Sequence, residues 1–143
     1  MKKNILLMIA GLACCGCDTG TTYQFATYAD AKSDKTVRGA SLPEFVPASA
    51  RDINGWYHVE TNEQTVEFTL AASDKESMIT LFSLAHDPKS VCTSGGLMSQ
   101  RWSAVYQSNR FEFYSRTDDK LTECLGVNID RWRAYYWTVP AEQ

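Results

Sequence analysis

Short stretches in which apolar and polar residues alternate predict β-strands in the part of the chain that follows residue 50. Both Ile53–Glu60 and Thr65–Leu70 alternate, and both carry the β-branched and aromatic residues that strands favour. The four residues between them, Thr61–Gln64, have the composition of a turn. These stretches therefore predict a β-hairpin.

Helical spacing of apolar residues replaces this alternation after the hairpin. Ser73, followed three residues later by Glu76, has the pattern of a capping box that begins a helix. The apolar residues at helical spacing are Met78, Leu81, Phe82 and Ala85. We expect one helix over about Ser73–Ala85, packed on the sheet and ended by Asp87 and Pro88.

Alternating stretches resume in the C-terminal third of the chain. They are Arg101–Tyr106, Arg110–Ser115, Leu121–Ile129 and Arg133–Val139. With the first hairpin they bring the number of strands to about six. The predicted fold class is therefore α+β, with an antiparallel sheet of about six strands covered by one helix.

The N-terminus has the pattern of an export signal. Lys2 and Lys3 precede an uninterrupted apolar run, Ile5–Ala13, which is far shorter than the roughly 20 residues of a membrane-spanning helix. A positive start, a short apolar core and small residues after it are typical of a signal peptide. The alternative, a buried N-terminal helix or strand, leaves the two lysines unexplained.

Three cysteines follow the apolar run, and the segment around them resembles the lipobox of bacterial lipoproteins. In that family small residues precede a cysteine that is lipidated and becomes the first residue of the mature protein. Cys14 leaves a very short leader, Cys15 has a cysteine directly before the cleavage point, and Cys17 follows Gly16. The resemblance implies a lipid anchor at one of these three positions.

Counting the cysteines favours Cys17. Cleavage before this residue removes Cys14 and Cys15 and leaves Cys92 and Cys124 as the only other thiols. An even pair of cysteines in an oxidising compartment predicts a disulfide bond. We therefore expect a signal peptide over residues 1–16, a lipidated Cys17 and a bridge between Cys92 and Cys124.

The expected location is the bacterial cell envelope, where acyl chains would anchor the chain to a membrane. Each buried methylene contributes about 0.8 kcal/mol, and more than one chain makes the anchoring stable. Asp18, directly after the expected anchor, resembles the inner-membrane retention signal of bacteria that sort their lipoproteins. This residue favours the inner membrane over the outer one.

The segment between the anchor and the first predicted strand has no clear period. Asp18–Ala40 is rich in Thr, Ala, Ser, Asp and Lys, which predicts a mostly flexible spacer with room for a short helix over Tyr28–Lys35. Pro43 and Pro47 then predict an extended segment that enters the domain or, alternatively, binds a partner. The expected organisation is an anchor and tether over residues 17–50 and an α+β domain over residues 51–143.

The charge of the chain argues against nucleic acid as a partner. The net charge of −3 becomes −5 when Lys2 and Lys3 leave with the signal peptide. A nucleic-acid-binding domain of this size is expected to carry a basic patch.

Candidate catalytic residues are few. His58 and Glu60 lie two residues apart on a predicted strand, so their side chains share a face and could form a metal or acid–base site. A solvated strand face explains the same pair more simply, because no third partner is evident. The sequence predicts no cofactor and no metal site, and an enzyme that uses this pair is the alternative hypothesis.

An aromatic cluster near the C-terminus is the candidate binding surface. Its members are Trp132, Tyr135, Tyr136 and Trp137. Alternation along the strand directs Tyr136 to the face opposite Tyr135 and Trp137, and Tyr, Trp and Arg are enriched at binding hot spots. A strand packed on both of its faces is the competing interpretation.

The stretch Leu42–Phe68 loosely resembles a segment of small bacterial lipoproteins of unknown function. The similar pieces are Leu42-Pro43, Pro47-Ala48-Ser49-Ala50, Asp52-Ile53 and Thr61-Asn62. The resemblance implies no catalytic or binding residue. The sequence therefore predicts a membrane-anchored, non-catalytic envelope module that binds a protein or another envelope ligand, with an inhibitor or immunity protein as one version.

Overall fold

A computed structural model describes residues 20–34, 42–84, 92, 110–118 and 120–140 of the chain. Its strands are β1 (Gly20–Thr27), β2 (Arg51–His58), β3 (Gln64–Thr69), β4 (Ser83–Leu84), β5 (Phe111–Thr117), β6 (Leu121–Asn128) and β7 (Arg133–Pro140). Its helical segments are α1 (Tyr28–Ser33), a 3₁₀ turn (Ala72–Asp74) and α2 (Lys75–Ile79).

The described strands form one seven-stranded sheet in the order β1-β2-β3-β7-β6-β5-β4. Every neighbouring pair is antiparallel. The first three strands form one meander, and the last three long strands form another that runs back toward it. The two meanders meet in the centre of the sheet, where β3 pairs with β7.

The predicted α+β class is wrong, because the structure is a mainly-β fold with only short helical segments. The expected helix over Ser73–Ala85 is limited to α2, and Ser83 pairs with Ser115 in a further strand. The Ser73 hydroxyl donates to the Asp74 carboxylate at 3.4 Å instead of capping a helix. The side chain of Leu81, which a covering helix would bury, is 53% exposed.

Residues assigned to the flexible tether form part of the sheet. Strand β1 pairs with β2 along its whole length, and Tyr23 in its centre is buried. Helix α1 follows directly and begins with a capping box in which Thr27 and Asp30 bond each other's backbone N–H groups. The short helix expected near Tyr28 is thus present, whereas Gly20–Thr27 is an edge strand.

The larger part of the core lies on one side of the sheet, which we call the packed face. Alternate residues of the strands point there, with Ile53, Val66 and Phe68 fully buried in the first meander. The proline-containing segment after residue 41 covers them with Leu42 and Val46. This segment therefore serves as part of the domain's core.

A smaller apolar cluster lies on the opposite face, over the second meander. The predicted Cys92–Cys124 disulfide is present there, with the two Cα atoms 6.1 Å apart. The indole Nε1 of Trp137 donates to the carbonyl of Cys92 at 3.1 Å. The bridge thus fixes residue 92 against the centre of the sheet.

The remaining strand predictions are confirmed, except for one that lies outside the described residues. The hairpin β2–β3 and the strands β5, β6 and β7 are confirmed within one or two residues of their predicted ends. The turn before β6 is held by Asp118, whose carboxylate accepts hydrogen bonds at 2.8 Å from the N–H groups of Lys120 and Leu121. The predicted strand Arg101–Tyr106 lies outside the described residues.

Candidate functional site

The first meander leaves a polar surface on the side opposite the packed face. The pairing of Gln24 with Asn54, and of Asn54 with Glu67, places these three side chains in one row across β1, β2 and β3. Thr22 and Thr65 lie beside the row at the next outward positions. We call the depression that these five side chains line the polar cleft.

The polar cleft has a volume of about 330 Å³, and Tyr23 and Gly55 complete its lining. Thr22 and Gln24 are exposed, Asn54 and Glu67 are half-buried, and Thr65 is buried. The cleft follows from strand alternation, because the intervening residues point to the packed face. The neighbouring strands thus supply a floor of backbone and a rim of hydroxyl and amide groups.

A β-bulge lies next to the cleft in strand β2. The register between β2 and β3 shifts between Arg51 and Asn54, and Asp52 adopts a φ of 49°, in the left-handed region. The Asn54 amide donates to the carbonyl of Asp52 at 3.2 Å. The bulge therefore holds the Asn54 side chain at the edge of the cleft, as bulges beside functional sites often do.

The charge of the cleft is balanced by a neighbouring strand. Glu67 forms an ion pair with Arg133 of β7 at 3.1 Å. The Arg133 guanidinium also lies 5.9 Å from the centre of the Tyr135 ring, within the range of a cation–π contact. The cleft consequently offers hydrogen-bonding groups with little net charge.

Trp56 flanks the cleft on the same face of the sheet. It pairs with Thr22 on one side and with Thr65 on the other, and its side chain is half-buried. Its ring lies against Gly20, where a Cβ atom would come within 2.2 Å of the indole nitrogen. An aromatic surface therefore adjoins the polar groups of the cleft.

A second depression, of about 260 Å³, opens on the packed face beside the proline-containing segment. Arg116 and Glu123 form an ion pair in it, with the Arg116 Nε 2.8 Å from the carboxylate. Burial, followed by the nearby Glu123 charge, raises the pKa of the Tyr136 hydroxyl well above its usual value. Phe45 packs on the ring of Tyr136 at 5.0 Å between ring centres.

The structure places His58 at the end of β2, directly before the turn that leads to β3. Its Nδ1 atom accepts a hydrogen bond from the Thr61 N–H at 3.3 Å and lies 3.0 Å from the Thr61 hydroxyl. Glu60 is exposed in the same turn. Within the described residues, no group of three or more His, Cys, Asp or Glu side chains is arranged to hold a metal ion.

The four aromatic residues of the candidate binding surface do not share one exposed face. Tyr136 and Trp137 are 3% and 1% exposed, on opposite sides of β7. Tyr135 is half-buried and packs against Phe111 at 5.5 Å between ring centres. Trp132, at a φ of 48°, lies in the turn before the strand and packs on the core.

The structure describes the predicted disulfide but not the predicted lipidation site. Cys17 lies outside the described residues, whereas Cys92 and Cys124 are bridged. Within the described part of the chain, the helices are too short or too polar to cross a bilayer.

The sequence interpretation missed the cleft because Thr22 and Gln24, which form one of its walls, belong to the segment taken for a tether. A signal was present, since Tyr23 and Phe25 alternate with polar residues over Gly20–Thr27. That alternation is typical of a strand with one buried face. The partners Asn54 and Glu67 lay on predicted strands but carried no pattern of their own.

A family model matches part of the chain. Residues 19–69 match the model of the YbbD head domain, a small bacterial domain. The matched segment spans β1, α1, β2 and β3 and contains every residue that lines the polar cleft. No curated protein and no solved structure matches the chain.

Proposed function

We propose that this protein is a membrane-anchored lipoprotein of the cell envelope that binds a ligand without catalysis, through the polar cleft. The observation that carries the proposal is the row of Gln24, Asn54 and Glu67 across three paired strands. Rigid strands hold these side chains in fixed positions, as a specific binding site requires. The cleft also lies wholly within the segment that matches a known domain family.

The chemistry of the lining indicates the kind of ligand. Threonine hydroxyls and the two carboxamides both donate and accept hydrogen bonds, whereas Glu67 is already neutralised by Arg133. A ligand rich in hydroxyl or amide groups suits this lining better than an ion. Trp56 beside the cleft adds an apolar surface on which such a ligand packs.

The anchor rests on the N-terminal sequence. The signal-peptide pattern of residues 1–16, the lipobox-like Cys17 and the Cys92–Cys124 bridge all agree with export. Anchoring would keep the cleft at high local concentration near envelope components, which favours even weak binding. The alternative hypothesis, an enzyme that uses His58 and Glu60, stays a prediction.

Photocrosslinking in living cells tests the proposal. A diazirine amino acid replaces Gln24, in the cleft, in the full-length protein, and Ala72, an exposed residue of the 3₁₀ turn outside the cleft, is the control position. We expect one saturable adduct from position 24 and none from position 72. Mass spectrometry then identifies the adduct as a glycan or a protein.

A matched pair of variants separates binding from folding. Thr21 and Thr22 are adjacent exposed residues of β1 whose side chains point to opposite faces of the sheet. Thr22→Val removes one hydroxyl from the cleft and should lower the adduct yield about 2- to 10-fold, as for a lost hydrogen bond. Thr21→Val should leave the yield unchanged. Equal yields from both variants, or no specific adduct at position 24, would reject the cleft as the site.

A further inference from the structure

The strand that follows the expected anchor begins at one end of the sheet. Gly20, the first residue of β1, pairs with His58 at the end of β2, beside the turn that leads to Gln64. We call this end, formed by Gly20 and the turn Val59–Glu63, the anchor end. The opposite end contains Thr27, Arg51 and the turn between β6 and β7.

The chain between Cys17 and the anchor end is very short. Only Asp18 and Thr19 separate Cys17 from Gly20. Three residue steps span at most about 11 Å even when fully extended. The polar interfacial layer on each side of a bilayer is itself roughly 5–8 Å thick.

We propose that the anchor end of the sheet lies in the headgroup layer of the membrane, with Val59 inserted among the lipids. This inference rests on the proposed lipidation of Cys17. The side chain of Val59 is 58% exposed, and Val59 follows directly after His58, the pairing partner of Gly20. Bound lipid at Cys17 therefore brings Val59 to the membrane surface.

Trp56 supports the same orientation. Its ring packs against Gly20 and near His58, with 5.8 Å between the two ring centres, so it lies at the anchor end. Tryptophan is enriched at membrane–water interfaces because its ring is apolar and its N–H is polar. In this orientation the polar cleft would lie close to the membrane surface.

Charge does not explain this contact. Glu60 is exposed and Glu63 half-buried beside Val59, so anionic headgroups would repel this turn. The short link to the anchor holds this turn close to the headgroups whatever their charge. We therefore expect it to form on zwitterionic lipid, without any need for anionic lipid.

Ile129 provides a matched control position. It is 37% exposed in the turn at the other end of the sheet. A strand of the length of β1 separates the two ends by about 23 Å, at roughly 3.3 Å per residue. A side chain there is outside the headgroup layer when the anchor end is within it.

The test uses the acylated mature protein reconstituted in phosphatidylcholine vesicles that contain a spin-labelled quencher lipid. A cysteine replaces Val59 or Ile129 and carries an environment-sensitive fluorophore, while Cys17 is blocked by lipid and Cys92 and Cys124 are bridged. We expect strong quenching and a blue shift at position 59, and emission as in water at position 129. The intact mass of each sample establishes beforehand whether Cys17 carries lipid.

The outcomes separate the inference from the proposed function. Acylated, vesicle-bound protein with equal signals at the two positions would overturn the orientation and leave the anchor and the cleft standing. Protein without lipid at Cys17 would overturn the anchor and, with it, this orientation. Quenching confined to position 59 supports both the anchor at Cys17 and the proposed orientation.

Discussion

The ring of Tyr23 on β1 occupies the space in which residue 55 of β2 would carry a Cβ atom. Tyr23 pairs directly with Gly55, and a Cβ built there would lie 2.1 Å from the ring carbon Cζ. The Tyr23 hydroxyl accepts a hydrogen bond from the Gln64 amide at 3.4 Å. This contact fastens the edge strand β1, and with it one wall of the polar cleft, to the rest of the sheet.

Gly55→Ala should therefore destabilise the protein by about 1–3 kcal/mol, as overpacking of a filled site does. The matched control is Gly126→Ala in β6, where the added Cβ would lie 3.1 Å from a carbon of the half-buried Phe113 ring. That ring has more room to move, so the loss should be smaller. Urea unfolding measures both variants, and an equal or larger loss for Gly126→Ala would contradict the proposed role of Tyr23.

The disulfide is expected to contribute a large part of the stability of the domain. Cys92 and Cys124 are separated by 32 residues, and the chain-entropy model gives roughly 3–4 kcal/mol for a loop of this length. The double variant Cys92→Ala/Cys124→Ala should lose about that amount in urea unfolding. Adding a reductant should destabilise the natural protein but not the variant. Equal stability of the oxidised protein and the variant would refute this expectation.

Stability should depend on pH through Glu112. Hydrogen bonds from Lys75 first, and from the Tyr114 hydroxyl next, lower the pKa of this carboxyl below its ordinary value of 4.5. The unfolded chain then binds the proton more tightly than the folded one, so this stabilisation is present above pH 4.5 and is lost as the pH falls through the lower, folded pKa.

The comparison with Glu112→Gln isolates this effect. The natural protein should be the more stable of the two at pH 6, and the difference should vanish as the pH is lowered below 4.5. Urea unfolding at a series of pH values measures it. A difference that is constant from pH 6 to pH 3 would show that the ionised carboxylate contributes nothing.

His58 is expected to stabilise the turn between β2 and β3. Its ring accepts a hydrogen bond from the Thr61 N–H, so His58→Ala should cost about 0.5–1.5 kcal/mol of stability. Crosslinking from position 24 in the cleft should be unchanged in this variant. Loss of an envelope phenotype in a His58→Ala protein that still folds and crosslinks would instead favour the enzyme hypothesis.

Strands were predictable where one face is buried in the core. Alternation of apolar and polar residues revealed β2, β3, β5, β6 and β7, because each of these strands contributes apolar side chains to one or both core clusters. Strand β1 was missed because an edge strand with Tyr23 as its one buried residue, surrounded by threonines, resembles a linker in composition. Strand β4 has two residues, too few for any period.

The predicted helix failed for a different reason. Met78 and Phe82 are spaced as on one face of a helix, and both do pack on the core. The chain nevertheless leaves the helix at Ile79, because Ser83 and Leu84 pair with β5, which local spacing does not reveal. Tertiary pairing thus outweighs helical propensity in this segment.

The polar cleft could not be predicted from local patterns. Gln24, Asn54 and Glu67 are far apart in the chain and become neighbours only through the registers of two strand pairs. The bulge at Asp52 shifts one of those registers by a residue. Sites of this kind depend on non-local pairing, whereas the disulfide followed from counting cysteines.

The intact mass of the mature protein, extracted from the membrane fraction, tests the central claim most directly. We predict a chain that begins at Cys17, carries covalently bound acyl chains and contains one disulfide. This result would place the folded sheet three residues from the membrane anchor. A mature chain that retains residues 1–16, or one whose Cys17 carries no lipid, would contradict the account of a membrane-anchored binding module.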